Sequence, residues 1–319
     1  MKILITGVHG FVGSNLVESL KTEHTIYGLD IISPIKEGIR FTFPWDYLEK
    51  PGEIPEVDAI IHLAGKAHDT KNQTATEVYF KVNRDLTIKV FDYFCNHKSI
   101  KKFIFFSTAK AAADKVDGVL TEDVVPSPVG PYGESKIEAE KYILNCMSNR
   151  PYEFTDKGVY IFRPCMIHGP GNKGNLNLLY NVVKKGIPWP LGAFENRRTF
   201  TSIDNICYAV GGVLTGDVPS GIYNMGDDEA LSTNELIKVI CEAMGKKAHI
   251  WNISKGFMNK CARVGDFLHL PLNTERMRKL TEDYISSNQK IKDALGIDHF
   301  PTDARSGLIK TILSFNEDR

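Results

Sequence analysis

The sequence predicts an α/β fold built on a doubly wound parallel sheet, with a smaller carboxyl-side lobe. Three observations carry this expectation. Short apolar runs alternate with longer amphipathic stretches, a glycine-punctuated turn joins the first run to the first helix, and Gly/Pro-rich loops take over after Pro164.

The apolar runs are "KILIT", "TIYGLD", "DAIIHLAG", "KKFIFFST" and "GVYIFRP". They are nearly continuous in apolar character, "FIFF" above all, which marks strands buried on both faces, as in a parallel sheet. Parallel neighbours need long crossovers, and helical periodicity over residues 11–22, 74–97 and 132–149 supplies them. Shorter helices are expected near 175–185, 204–215, 232–244, 274–280 and 303–315. The expected division is residues 1–165 for the sheet domain and 166–319 for the lobe, with segments near 200–225 packing back onto the sheet. On the long helices, Val78, Val82 and Ile143 exceed what one sheet face needs, so a two-fold homodimer through an intersubunit bundle is expected.

Composition narrows the partners. The 319 residues carry 39 Lys+Arg against 39 Asp+Glu, so no net field gathers nucleic acid or a membrane surface. No run of about eighteen apolar residues is present, so membrane insertion is not expected. The six cysteines lack CxxC spacing, which argues against a metal site, a redox pair or a disulfide framework. His9, Ser14, Asn15 and Glu18 interrupt the first apolar run where a signal peptide would continue it, and a cytoplasmic protein is expected.

The turn "TGVHGFVG" places Gly7, Gly10 and Gly13 between a strand and a helix. Gly7 permits the tight turn, Gly10 lets backbone approach a pyrophosphate, and Gly13 lets helix pack on strand. Phe11 and Val12 open the helix, whose free N–H groups and positive dipole end face the diphosphate. Asp30 ends the second strand, where a carboxylate accepts the adenosine ribose hydroxyls and repels a 2′-phosphate. The reading is a Rossmann-type domain that takes NAD rather than NADP.

"FFSTAK" closes a buried strand and "YGESK" opens a helix. Tyr132 and Lys136 stand four apart and share one helix face, and a lysine ammonium beside a phenol lowers its pKa toward use as an acid/base. Tyr-x-x-x-Lys is common by chance. Here it comes with the glycine turn and the hydroxyls of Ser107 and Thr108.

Together with "HLAG", "RPCMIHGPG", "NRRTFTSIDN" and "KIKDALG", these motifs resemble the NAD-dependent epimerase/dehydratase family of extended short-chain dehydrogenase/reductases. The likeness is strongest to nucleotide-sugar 4-epimerases and 4-ketoreductases. The resemblance implies an NAD-binding Rossmann domain and a lobe that closes over a nucleotide sugar, UDP-linked. It implies Thr108, Tyr132 and Lys136 as the catalytic group, with Thr108 also on the sugar O4. It places Ser107 beside the nicotinamide, Asp46 at the adenine amino group, Ala64 and Gly65 along the cofactor, and Asn83 near it. Arg163 and Pro164 match the strand end that feeds the nicotinamide site. Asn175 and Arg198 match substrate-phosphate contacts. For a second phosphate arginine, Arg263 in "RVGD" needs an insertion to align, and Arg276 and Arg278 are rivals.

The family's 4,6-dehydratases carry an Asp-Glu pair after the catalytic Thr, and this chain has Ala109 and Lys110. Dehydration is therefore disfavoured. A UDP-sugar 4-epimerase working through a transient 4-keto sugar is expected, with a UDP-4-keto-6-deoxy-sugar 4-reductase as the alternative. A non-catalytic NAD-binding sensor would not need Thr108, Tyr132 and Lys136 together.

Overall fold

The computed structural model describes residues 1–50, 52–67, 75–172, 174–268, 270 and 272–317, without the side chains of Asn175, Asn316 and Glu317. The first half runs β1 (Lys2–Thr6), α1 (Phe11–Leu20), β2 (Thr25–Leu29), β3 (Ile39–Phe43), β4 (Ala59–His62), α2 (Thr76–Tyr79), α3 (Leu86–Asn96), β5 (Lys102–Phe106), α4 (Ala109–Ala112), β6 (Val119–Leu120), α5 (Pro131–Asn149) and β7 (Gly158–Pro164). The second runs β8 (Met166–His168), α6 (Asn175–Lys184), β9 (Arg198–Ser202), α7 (Ile203–Thr215), β10 (Gly221–Met225), β11 (Ala230–Leu231), α8 (Thr233–Ala243), α9 (Lys255–Leu268), α10 (Thr274–Thr281), β12 (Ile285–Ser286), α11 (Gln289–Leu295) and α12 (Ala304–Glu317).

Seven parallel strands form the main sheet in the order β10-β7-β5-β4-β1-β2-β3. The order reverses between β1 and β4, and open α/β sheets bind ligands at the carboxyl ends of the strands flanking such a point. Alternate residues feed opposite cores. Ile3, Ile5, Ile104 and Phe106 pack under α1 and α7, whereas Leu4, Phe103 and Phe105 pack under α3 and α5 with Val90, Phe91 and Ile143. The predicted two-sided burial is what the doubly apolar strands deliver. β10 brings residues 221–225 from beyond the boundary near 165 into the sheet, beside β7.

A third core of Leu176, Tyr180, Trp189, Leu236, Ile240, Met258 and Leu308 belongs to the carboxyl-side segments. Buried Asp227 seats this lobe on the sheet by accepting from Ser202 N and Asn205 Nδ2, each at 2.8 Å, with His168 Nε2 at 3.3 Å. Asn15 of α1 donates to Pro170 O at 3.0 Å across the same junction.

Three expectations need correction. The helix expected over 74–97 is α2 and α3 joined by a π-helical turn, Phe80–Asp85, and residue 74 lies outside the described residues. The wider turn carries buried Asn83, and such π segments concentrate where a functional side chain must be re-aimed. Ile143 is fully buried in the sheet core and presents nothing to a partner, while Val78 is 40% exposed. α9, Lys255–Leu268, forms where no helix was expected.

His62 spans the strand layer. Its Nδ1 lies 2.7 Å from Thr6 Oγ1 and its Nε2 2.9 Å from Thr87 Oγ1, and its ring stacks on Phe105. Burial, with Lys136 nearby, holds its pKa well below the ordinary 6.5. Below that pH the unfolded chain takes up a proton that the folded chain refuses, so His62 removes stability as pH falls. His62→Gln is expected to unfold with a shallower acid-side decline than the wild type, and equal slopes in denaturant titrations across that range would refute the assignment.

Candidate active site

The glycine turn is built by close approach. Gly7 has φ +66° and donates to Leu29 O at 2.9 Å, and a Cβ there would meet the Ala64 backbone at 3.0 Å. A Cβ on Gly13 would lie 2.6 Å from both Gly7 O and Val8 O. Gly10 has an ordinary extended backbone, and a Cβ there would crowd Gly7 O at 3.1 Å. α1 starts at Phe11 without a side-chain cap, which leaves first-turn N–H groups of Phe11, Val12 and Gly13 for an anion. Asp30 stands just past β2 and is tied back to this turn, accepting from His9 N at 3.1 Å and Ile31 N at 2.7 Å. His9 fastens the turn outward as well, with Nε2 3.0 Å from Thr42 Oγ1. Asp46 lies apart in the exposed 3-10 turn Trp45–Glu49, paired with Lys50 at 2.6 Å.

The loop after β4 crosses the site. Ala64 N donates to Thr6 Oγ1 at 3.1 Å, and the Asn83 amide clamps Lys66 through its N (2.7 Å) and O (3.1 Å) while donating to Ser135 Oγ at 3.0 Å. Gly65 sits over the catalytic lysine: a Cβ there would stand 3.1 Å from Lys136 Nζ.

Thr108 follows β5 and caps α4, its Oγ1 accepting from Lys110 N at 3.3 Å. Tyr132, partly buried at the start of α5, stands beside Thr108, whose side chain acts on its phenol. Lys136 is 4% exposed, donates to Phe106 O at 2.8 Å and lies over the Phe105 ring. The three expected catalytic residues are therefore one cluster. The expected electrostatics are corrected. Burial pushes the Tyr132 phenol up, opposed by the Thr108 side chain, and Lys136 is not among the groups that lower it. The lysine itself is pulled down to about 8 by burial, opposed by Glu140.

Glu140 is the residue that the sequence reading missed. Completely buried one turn beyond Lys136, it accepts from Arg163 Nε at 3.1 Å and Nη2 at 2.6 Å, and from the Ser107 hydroxyl. Ser107 thus spends its hydroxyl on this pair. Glu140, four residues beyond Lys136 and eight beyond Tyr132, was visible in "YGESKIEAEK", but its burial depends on Arg163 arriving from β7.

Arg198 opens β9, donates to Lys279 O and lines a small cleft with Lys110, Asp114, Arg278 and Tyr284. Lys110 Nζ pairs with Asp114 at 2.7 Å and lies 4.8 Å over the Tyr284 ring, and Arg278 pairs with Glu282 at 3.2 Å. Of the rival arginines, Arg278 lines this cleft, whereas Arg263 is exposed on α9 and Arg276 is not among the lining residues. Asn175 begins α6, and its side chain lies outside the described residues. Among the described residues no cluster of His, Cys, Asp and Glu could hold a metal ion.

The NAD dependent epimerase/dehydratase family matches residues 3–226. The chain belongs to that family. A UDP-glucose 4-epimerase of Vibrio cholerae is 31% identical over 261 residues, covering 76% of each chain. A dTDP-4-dehydro-6-deoxyglucose reductase of Escherichia coli is 24% identical over 277 residues, 78% of this chain and 83% of the relative. Among solved structures, MoeE5 in complex with UDP-glucuronic acid and NAD shares the fold with a TM-score of 0.76 at 20% identity over the whole of both chains. The family's cofactor is NAD, and the cradle fits it: Gly13 leaves no room for a side chain, α1 is uncapped, and Asp30 is anchored beside both.

Unfolded Lys136 titrates near 10.5 and folded Lys136 near 8. Below the lower value both states are protonated and folding bears the whole cost of the buried ammonium, on the order of 3 kcal/mol. Stability then climbs with pH between the two values. Lys136→Met is expected to raise the unfolding midpoint at neutral pH, with the gap to wild type closing in alkali. A variant less stable than the wild type at neutral pH would contradict the reading of Lys136 as a charge held at a cost for function.

Proposed function

We propose that the protein is a UDP-sugar 4-epimerase that works through a transient 4-keto sugar. The observation that carries this reading is the placing of Thr108 beside Tyr132, with buried Lys136 one helical turn on, and a cleft alongside in which Lys110, Arg198 and Arg278 stand among Asp114, Glu282 and Asp283. In this reading residues 1–165 hold the cofactor and 166–319 the sugar nucleotide.

NAD would be held by the turn of Gly7, Gly10, Phe11, Val12 and Gly13, by Asp30 and Asp46, and by the walls at Ala64, Gly65, Asn83 and Ser107; when bound it supplies oxidising and reducing power at the sugar's C4. Thr108 holds the O4 hydroxyl by a hydrogen bond. Tyr132, acting as its phenolate, takes the O4 proton as C4 is oxidised, becoming the phenol, and returns that proton when the carbonyl is reduced. Lys136, fixed by Phe106 O, holds a buried cation one helical turn from Tyr132. Arg198 and Arg278 offer planar forks to the diphosphate, with Lys110 as a third cation and Asn175 as a further contact. Lys110 is engaged with Asp114 and has no carboxyl to lend to an elimination, so dehydration is not part of the proposal.

The 31% identity to a UDP-glucose 4-epimerase supports epimerisation. The second reading, reduction of a UDP-4-keto-6-deoxy sugar, is favoured by the similarity to a 4-ketosugar reductase. Incubation with UDP-glucose, UDP-galactose and their N-acetylamino counterparts, without added cofactor, separates the two. The C4 epimer is expected from one of these pairs. Silence on all four, with NADH oxidation on a UDP-4-keto-6-deoxy sugar, would replace epimerase by reductase. Tyr132→Phe is expected to lower turnover by about 10²–10⁴-fold while NAD remains bound, and near-wild-type turnover would remove Tyr132 from the mechanism.

A further inference from the structure

The carboxyl-side lobe carries a surface that neither the fold nor the active site explains. α9 packs inward through Met258, Ala262 and Gly265. A second apolar row, Phe257, Val264 and Leu268, lies roughly a quarter turn round the helix at its 100° per residue, and is 58%, 54% and 56% exposed. Phe267 on the same helix is 83% exposed, and Trp251, just ahead of it, 55%. A helix that serves only its own core shows one apolar face, and this one shows two.

Charge on the same surface is one-sided. From Ala243 to Gly265 the chain carries Lys246, Lys247, Lys255, Lys260 and Arg263 and no Asp or Glu, in a protein whose total charges cancel. All five are exposed. Some other cations of this lobe are ion-paired, Lys279 with Glu275 at 2.5 Å and Lys310 with Asp204 at 2.8 Å. Lys260 and Arg263 share the helix side with Phe267, so the basic row borders the apolar one.

We propose that this face docks on an anionic lipid bilayer. α9 lies in the interface plane, with Phe257, Val264, Phe267 and Leu268 at the acyl boundary and its basic residues among the head groups, the pattern of interfacial amphipathic helices. No helix among the described residues is long and apolar enough to cross a membrane, so the attachment is peripheral. A second copy is a poorer occupant, because a two-fold contact sets each patch against itself and brings the two sets of cations together. Nucleic acid would leave the aliphatic Val264 and Leu268 without a partner. α9 joins α10 through Thr274 N and Asp266 Oδ1 at 3.0 Å, which links the docking face to the helix that carries Arg278.

The test is cosedimentation of the full chain with phosphatidylcholine vesicles and with vesicles of phosphatidylcholine and phosphatidylglycerol. Binding is expected to the mixed vesicles, at least tenfold weaker to the neutral ones, and reduced by salt. Lys260→Gln with Arg263→Gln is expected to weaken it about tenfold or more, and Phe257→Ser with Phe267→Ser to abolish it. Circular dichroism melts of both pairs should match the wild type, since the replaced side chains are exposed. The proposal is overturned by absent binding, by equal binding to both vesicle types, or by binding that survives the Phe257/Phe267 pair, which would be surface adsorption alone. It is also overturned if that pair changes the solution mass while no vesicle pelleting occurs, which would make the face a contact between copies, or if the face retains RNA in a gel shift but no vesicles.

Discussion

Glu140 and Arg163 form the ion pair on which the site's geometry depends. Both are essentially without solvent access, at 0% and 1% exposure. Charges so placed stay only if each is paired, because an unpaired buried ion costs several kcal/mol while a paired one roughly breaks even against apolar packing; Arg163 meets Glu140 through Nε and Nη2, and its Nη1 has no hydrogen-bond partner. The pair therefore contributes position more than stability. It joins α5 to β7, and through the Ser107 hydroxyl to the end of β5.

What it positions is the rotation of α5. Tyr132, Lys136 and Glu140 recur every four residues, so the angle that seats Glu140 against Arg163 also turns Tyr132 toward Thr108 and Lys136 toward Phe106 O. The neighbouring wall is locked to the same helix: Asn83 bonds Ser135 and clamps Lys66, and Gly65 crosses close over Lys136, where a Cβ would stand 3.1 Å from its Nζ. Strand ends, crossover helix and loop thus converge at the sheet's switch point, where the glycine turn also opens.

Much of this was legible in the sequence. Strands buried on both faces announce themselves by unbroken apolar runs, and β1, β5 and β7 fall where "KILIT", "KKFIFFST" and "GVYIFRP" stand. The spacing of Tyr132 and Lys136 needed only helix geometry, and the structure brings them to Thr108. Other features depended on distant contacts. Glu140 reads as a solvated helix acid until Arg163 closes over it. Tyr132's phenol is governed by burial rather than by its lysine neighbour, which a spacing of four cannot reveal. That Arg278 and not Arg276 lines the cleft turns on the direction in which α10 packs, and Ile143 was misjudged because the depth of the second sheet core is set by α3 and α5 jointly.

The central claim, that a buried ion pair orients the catalytic helix, is tested most directly by unfolding and turnover of Glu140→Gln beside the paired replacement Glu140→Leu with Arg163→Met. The account predicts that Glu140→Gln loses about 3–5 kcal/mol, the cost of stranding a buried arginine. It predicts that the apolar pair recovers most of that stability, and that turnover stays low in both. Wild-type stability and wild-type turnover in Glu140→Gln would contradict it.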